Sequence, residues 1–393
     1  MAPPESADLQ KGRRNTNLDA LRAIAILMVL ARHAGQTIAL DGPTSNFTRY
    51  FTRLGWAGVD LFFVLSGFLI SGLLFTGYQE RGRIDVSRFY IRRGLKIWPA
   101  FYALIAAGLF ADAVRHGHHL TAKGLLPELL FVQDYFHGIW GITWSLAVEE
   151  HFYLSLPLAL LLMIRYGKKR PFAAMPYLFA LIAVFSLACR FAVGWKENGT
   201  DHPYIWYFPT HLRIDGLMFG VLICYYYRFR RDIFERIASW RGGWIVIAAA
   251  VAAMSVFKVE DRNMHTWGFT VVYLGAGFLV AKAVASEGPR PVRTISSQLA
   301  RIGVYSYSIY LWHIFYLWRI VPHLHLTSHV SLYWGFLVGS ILFGIAAAKV
   351  IEIPVLRFRD RVFPPVPKDS LASKTLTFTG ELREAPQDGI GVG

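Results

Sequence analysis

The stretch LDALRAIAILMVLARHAG, residues 18–35, sets Arg22, Arg32 and His33 inside an otherwise apolar run. Ionisable groups at membrane depth cost several kcal/mol, so they mark a function or a paired contact. Arg22 and His33 are eleven positions apart, which at about 100° per residue returns them to one helix face, about 16 Å apart along the axis. Arg32 lies a further 100° round and is placed to snorkel outward. A neutral imidazole is the natural base for a hydroxyl proton near pH 7, and a neighbouring carboxylate could set its tautomer and stabilise the imidazolium. Taken alone, His33 could also be a structural histidine bonded to a neighbouring helix.

Other segments carry residues of the same kind. In GWAGVDLFFVLSGFLISGLL, residues 55–74, Asp60 stands near an outer mouth, while Ser66, Gly67, Ser71 and Gly72 form a small-residue stripe that reads as helix packing. RFYIRRGLKIWPAFY, residues 88–102, gathers Arg92, Arg93 and Lys96 in one turn before Pro99. Those cations either hold phosphate groups of a ligand or simply mark a cytoplasmic helix end. TWSLAVEEHFYLSLP, residues 143–157, has adjacent Glu149 and Glu150 followed by His151. The two acids point 100° apart, so only one can line a narrow cleft. HLRIDGLMFG, residues 211–220, spaces Arg213 and Asp215 by 200°, so each should pair with another helix. YSYSIYLWHIFYLW, residues 305–318, sets His313 among tyrosines, and Glu352 is expected to pair structurally with Lys349. The histidines of HGHH (116–119) and at 323, 325 and 329 read as incidental loop residues, and the sequons NFT and NGT as chance matches. No Gly-rich phosphate loop, G-x-S-x-G or H-E-x-x-H occurs, so the acceptor would attack directly or through a transient acyl-imidazole.

The elements that must position these groups are membrane helices. The chain is 54% hydrophobic and only 17% charged over 393 residues. Ten apolar stretches approach the roughly 20 residues a span requires: about 18–40, 56–77, 94–114, 142–164, 173–193, 212–228, 243–257, 266–286, 301–320 and 330–353. The expected fold class is all-α, a polytopic integral membrane helical bundle of about ten transmembrane helices. Its net charge of +15 does not point to nucleic acid, because Lys and Arg gather in alternate connecting segments. That positive-inside bias places both termini in the cytoplasm. Residues 1–17 read as a cytoplasmic amino-terminal segment, 18–361 as the membrane domain and 362–393 as a disordered cytoplasmic tail. The first span is too long and too polar for a cleaved signal peptide. GLLPELLFVQDYF in the longest outer loop suits a short interfacial helix, and RFRRDIFERIASWR, residues 228–241, a basic amphipathic one on the anionic inner leaflet.

Basic groups thus gather at the inner face, and carboxylates and imidazoles from the middle outward: His33, Asp60, Glu149, Asp215 and His313. That division suits an anionic donor from inside and a hydroxylic acceptor from outside. A proton-coupled transporter using Arg22, His33, Asp60 and Glu149 as a relay is the reading from another class. It predicts inverted repeats and broken helices, and the sequence shows neither.

The ordered motifs LDALRAIAILMVLARH, GVDLFFVLSGFLI, RRGLKIWPAFY, WSLAVEEHFY, RIDGLMFG, SYSIYLWH and IEIPVLRFRD resemble those of the acyltransferase family 3 membrane proteins, over about residues 17–361. The resemblance implies an O-acyltransferase of the bacterial inner (plasma) membrane, working on surface glycans such as lipopolysaccharide, exopolysaccharide or peptidoglycan, or on a macrolide or other small molecule. It implies an acyl-CoA donor, usually acetyl-CoA, with no permanently bound cofactor and no metal. On the family pattern His33 is catalytic, Glu149 rather than Glu150 is the matching acid, and Asp60 and Ser66 belong to the second-span signature. Arg22, Arg92 and Arg93 would serve the donor, with Arg213, Asp215 and His313 in support. Lys96 stands where the family usually has Arg, which keeps the charge but loses the bidentate fork. No esterase-like domain follows in this sequence, so a partner outside the membrane would hand the acyl group on, or the membrane domain would act alone.

Overall fold

The computed structural model describes residues 15–37, 45–114, 122–167, 170–196, 203–286, 288–325 and 328–364. Most of the expected terminal segments, HGHH and NGT lie outside these residues. Among the described residues there is no strand. The helices are α1 (Thr16–Thr37), α2 (Ser45–Leu54), α3 (Gly58–Arg81), α4 (Val86–Val114), α5 (Ala122–Leu130), α6 (Trp144–Tyr166), α7 (Met175–Lys196) and α8 (Pro203–Trp206). They continue as α9 (Thr210–Phe229), α10 (Arg231–Ser239), α11 (Gly242–Val256), α12 (Phe269–Ala285), α13 (Arg290–Gly303), α14 (Ser306–Phe315), α15 (His329–Ala347) and α16 (Ile353–Val362).

Among the described residues, six helical stretches are long and apolar enough to cross a membrane: Thr48–Arg81, Val86–Val114, Gly141–Tyr166, Met175–Gly194, Met264–Ala285 and His329–Val362. The pair α10–α11, bent by 61°, would make a seventh. The other expected spans are helical but differ in kind. Helices α1 and α9 are diluted by the charged residues they carry, and α14 has only 10 residues. The expected span 301–320 is also not one helix, since α13 ends at Gly303 and α14 starts at Ser306. Breaks that the sequence did not show appear as π-helical turns at Met264–Gly268, Tyr316–Ile320 and Ala348–Glu352.

Apolar side chains face both ways. Phe63, Val64, Phe75, Phe101 and Leu217 are buried between helices, whereas Phe110, Tyr177 and Ile245 stand more than 70% exposed on outer faces. Large apolar groups turned outward suit a bundle whose solvent is lipid. Helix α3 packs most extensively against α9. A Cβ on Gly67 would lie 1.9 Å from the Leu217 carbonyl, and one on Gly220 would lie 2.1 Å from that of Val64. Only glycine at both positions lets α3 and α9 cross so closely.

Candidate active site

A cavity of about 180 Å³ opens between α1, α3, α4, α6 and α14. Its cations are Arg22, Arg93 and Lys96, and its carboxylate is Glu149. Arg93 and Lys96, three residues apart on α4, face it together. Arg92 does not line it. One turn-step round the helix, it meets Asp360 of α16 at 3.0 Å and donates to the Phe363 carbonyl.

Glu149 is held on several sides. Ser66 Oγ donates to its Oε1 at 2.7 Å, Tyr153 Oη donates to its Oε2 at 2.5 Å, and Arg93 approaches Oε2 at 3.9 Å. The Arg93 guanidinium also lies 4.0 Å from the centre of the Tyr153 ring, a cation–π contact. Glu150 is turned to the indole of Trp98, which donates to it at 3.3 Å. Only one of the adjacent acids enters the cavity, as their 100° offset requires.

His33 does not line the cavity. Gly58 packs on the Ala25 carbonyl, so Val59, which lines the cavity, sits more than a turn of α1 below His33. His33 is half-buried, and its Nδ1 meets His313 Nε2 at 2.9 Å. His313 Nδ1 in turn contacts the Tyr310 carbonyl. The Tyr310 and Phe62 rings, 6.5 Å apart edge to face, line the cavity between its cations and this histidine pair. The sequence led us to expect a carboxylate setting the His33 tautomer; at Nδ1 the structure places an imidazole instead.

Asp60 is engaged elsewhere. Arg213 Nη2 donates to its Oδ1 at 2.7 Å, with both side chains buried. The guanidinium sits among Phe269, Tyr207, Trp144 and Phe63, with ring centres 3.9 to 5.9 Å away. Asp215 pairs with Arg190 at 2.8 Å, and Arg190 also donates to the Leu212 carbonyl and Thr270 Oγ1, each at 2.8 Å. Arg190 was not singled out from the sequence. Its signal was a cation within the expected span 173–193. Glu352 also departs from expectation: it is buried and accepts from Ser308 Oγ at 2.5 Å, while Lys349 is exposed. Arg32 turns outward and pairs with Glu260 at 3.2 Å. Among the described residues, no three His, Cys, Asp or Glu side chains are grouped to hold a metal ion.

Apolar outward-facing helices around a cationic cavity with an adjoining histidine pair define a membrane protein with a buried polar centre. The chain belongs to the acyltransferase family, whose model, described as "Acyltransferase domain", matches residues 15–350. It is 25% identical over 374 residues to the Staphylococcus aureus (strain MSSA476) protein "Putative O-acetyltransferase SAS0844", an alignment covering 88% of this chain and 58% of that protein. It is 24% identical over 388 residues to "O-acetyltransferase OatA" of Staphylococcus aureus (strain MRSA252), covering 92% and 60% respectively. The chain thus spans less than two thirds of the length of these relatives. No solved structure matches it.

Proposed function

We propose that the protein is an integral membrane O-acyltransferase that moves an acyl group, most readily acetyl, from cytoplasmic acyl-CoA to a hydroxyl of an extracytoplasmic glycan. The observation that carries this reading is the cavity holding Arg22, Arg93 and Lys96, whose lining residue Tyr310 touches His313 of the His33–His313 pair. Three cations in a low-dielectric cavity attract a polyanionic donor. At about 180 Å³ the cavity is smaller than the roughly 300–1,000 Å³ of a whole-ligand pocket, so it takes one end of the donor.

In this reading ten helical segments cross the inner membrane with both termini in the cytoplasm, including the short and charge-bearing ones. Helix α9 can carry its charges because Arg213 pairs with Asp60 and Asp215 with Arg190, and α1 because Arg22 pairs with Asp19 and Arg32 with Glu260. His33 accepts the acceptor's hydroxyl proton. Arg93, steadied by Glu149 and Tyr153, binds donor phosphate. The relatives' names support acetyl as the group transferred. A proton relay would require Arg22, His33, Asp60 and Glu149 to connect, yet Asp60 is tied to Arg213 and Glu149 to Ser66 and Tyr153.

The test uses the protein in nanodiscs with radiolabelled acetyl-CoA, together with mass spectrometry of envelope glycans from cells with and without the gene. Ester-linked label on glycan, lost in His33→Ala, is the expected result. Transfer that persists in His33→Ala removes His33 from the chemistry, and solute uptake without acyl-CoA would replace the enzyme by a transporter.

A further inference from the structure

His33 and His313 are 280 residues apart in the chain, yet their ring nitrogens Nδ1 and Nε2 lie 2.9 Å apart. The ring centroids are 5.0 Å apart and the planes 25° from parallel. Two imidazoles joined nitrogen to nitrogen, side by side, have centroids about 5 Å apart, so the hydrogen bond runs near both ring planes. His313 is wholly buried, just before the π-helical turn Tyr316–Ile320. Its Nδ1 faces the main-chain carbonyl of Tyr310. A carbonyl oxygen only accepts, so that contact requires the His313 proton on Nδ1. A neutral His313 then has a bare Nε2, which can only accept in turn. The bond between the rings is therefore donated by His33 Nδ1–H, which leaves the His33 lone pair on Nε2.

From this chain of donors we infer that His313 is a positioning residue, which holds His33 in its Nδ1–H tautomer and so presents Nε2 as the base. The inference rests on the acyl-transfer reading above. In that reaction the acceptor's O–H bond breaks, its proton passes to His33 Nε2, and its oxygen bonds to the thioester carbonyl carbon. The carbon–sulfur bond then breaks and the proton moves on to the sulfur, giving an ester and a free thiol. His313 exchanges no proton. While His33 is doubly protonated, its Nδ1–H still donates to His313, so the ring cannot turn and the charge is shared towards the Tyr310 carbonyl dipole. A carboxylate does this work in serine hydrolases. A neutral imidazole does it here without setting a negative charge beside an anionic donor.

Two substitutions separate this role from packing. His313→Leu keeps much of the bulk and removes the acceptor, whereas His313→Gln returns an amide oxygen near the position of Nε2. In nanodiscs, His313→Leu is expected to lower kcat for transfer from acetyl-CoA roughly 100-fold, with KM for acetyl-CoA held within about 2-fold. His313→Gln is expected to recover kcat to within roughly 10-fold of wild type. Unchanged kcat in the leucine protein, or a glutamine protein no better than a folded leucine one, overturns the inference. Nitrogen NMR of the histidine-labelled wild type needs no folded variant at 313. The His33 signal, assigned by its loss in His33→Ala, should report the Nδ1–H form, and an Nε2–H form would overturn the inference. Full transfer by His33→Ala would instead defeat the proposed role of His33, an outcome that the tautomer measurement keeps distinct.

Discussion

Ser66 donates its hydroxyl to Glu149 Oε1 at 2.7 Å, joining residues 83 apart in the chain across the cavity wall. With Tyr153 on the other oxygen and Arg93 beside it, Glu149 clamps a cation in place. Its charge faces the cationic lining of the cavity, and His313 takes the place beside His33 Nδ1.

Glu149→Gln should therefore act first on Arg93. The amide keeps the shape and loses the counter-charge. Breaking a buried pair costs about 3–5 kcal/mol, and the partial exposure of these side chains, 18% each, scales that down to about 1–3 kcal/mol. Ser66→Ala removes one hydrogen bond to a charged group and should cost about 1.5–3 kcal/mol. Thermal unfolding in nanodiscs reads both, and a Glu149→Gln protein as stable as wild type would show that Arg93 needs no partner.

The Asp60–Arg213 pair should behave as a unit. Both side chains are buried, so Arg213→Met leaves an uncompensated carboxylate and should cost about 3–5 kcal/mol. Adding Asp60→Asn should return much of that loss, because the stranded charge is gone. A double-mutant cycle in unfolding free energy measures the coupling. Strict additivity of the two substitutions would mean the pair contributes nothing beyond its separate contacts.

How much of this was legible in the sequence depends on what a helical period encodes. It names the face of a helix and is silent about the neighbour. The 200° between Arg213 and Asp215 showed that they part company, and the 100° between Glu149 and Glu150 that only one enters a cleft, and both follow in the structure. The spacing of Arg22 and His33 placed them on one face, yet only Arg22 reaches the cavity, because α3 crosses α1 below His33. Partners such as Asp360 for Arg92, Arg190 for Asp215 and His313 for His33 come from helices distant in sequence. Packing between those helices sets them, with glycines such as Gly67 and Gly220 fixing the approach, and no local pattern carries that information.

Glu128 on α5, outside the membrane-crossing helices, gives the protein a titrating group in its loop region. It is buried and accepts from Thr143 Oγ1 at 2.8 Å and from the Trp140 amide at 3.2 Å. Burial pushes its carboxyl up from 4.5 to about 7, against the pull of those hydrogen bonds. The folded protein then binds more protons than the unfolded chain between those values, so stability falls as pH rises from about 4.5 through about 7. At about 1.4 kcal/mol per pH unit, the full span amounts to roughly 3–4 kcal/mol. Unfolding temperatures measured from pH 5 to pH 8, a window of about that span, should drop more for wild type than for Glu128→Gln. Identical slopes would show that this carboxyl does not titrate with folding.

The basic turn of α4 makes the sharpest kinetic contrast. Arg93 and Lys96 share the cavity face, whereas Arg92 is occupied by Asp360 and the Phe363 carbonyl at the seam with α16. A charge-assisted contact to a donor phosphate is worth about 1.5–3 kcal/mol, and every 1.4 kcal/mol is tenfold in affinity. Arg93→Ala and Lys96→Ala should each raise KM for acetyl-CoA roughly 10-fold or more. Arg92→Ala should leave KM within about 2-fold and lower the unfolding temperature, because it releases α16. Steady-state kinetics over a range of acetyl-CoA concentrations separates these cases. Equal rises for all three would mean that the whole basic turn meets the donor, and a rise confined to Arg92 would move the donor's phosphates to the α4–α16 seam.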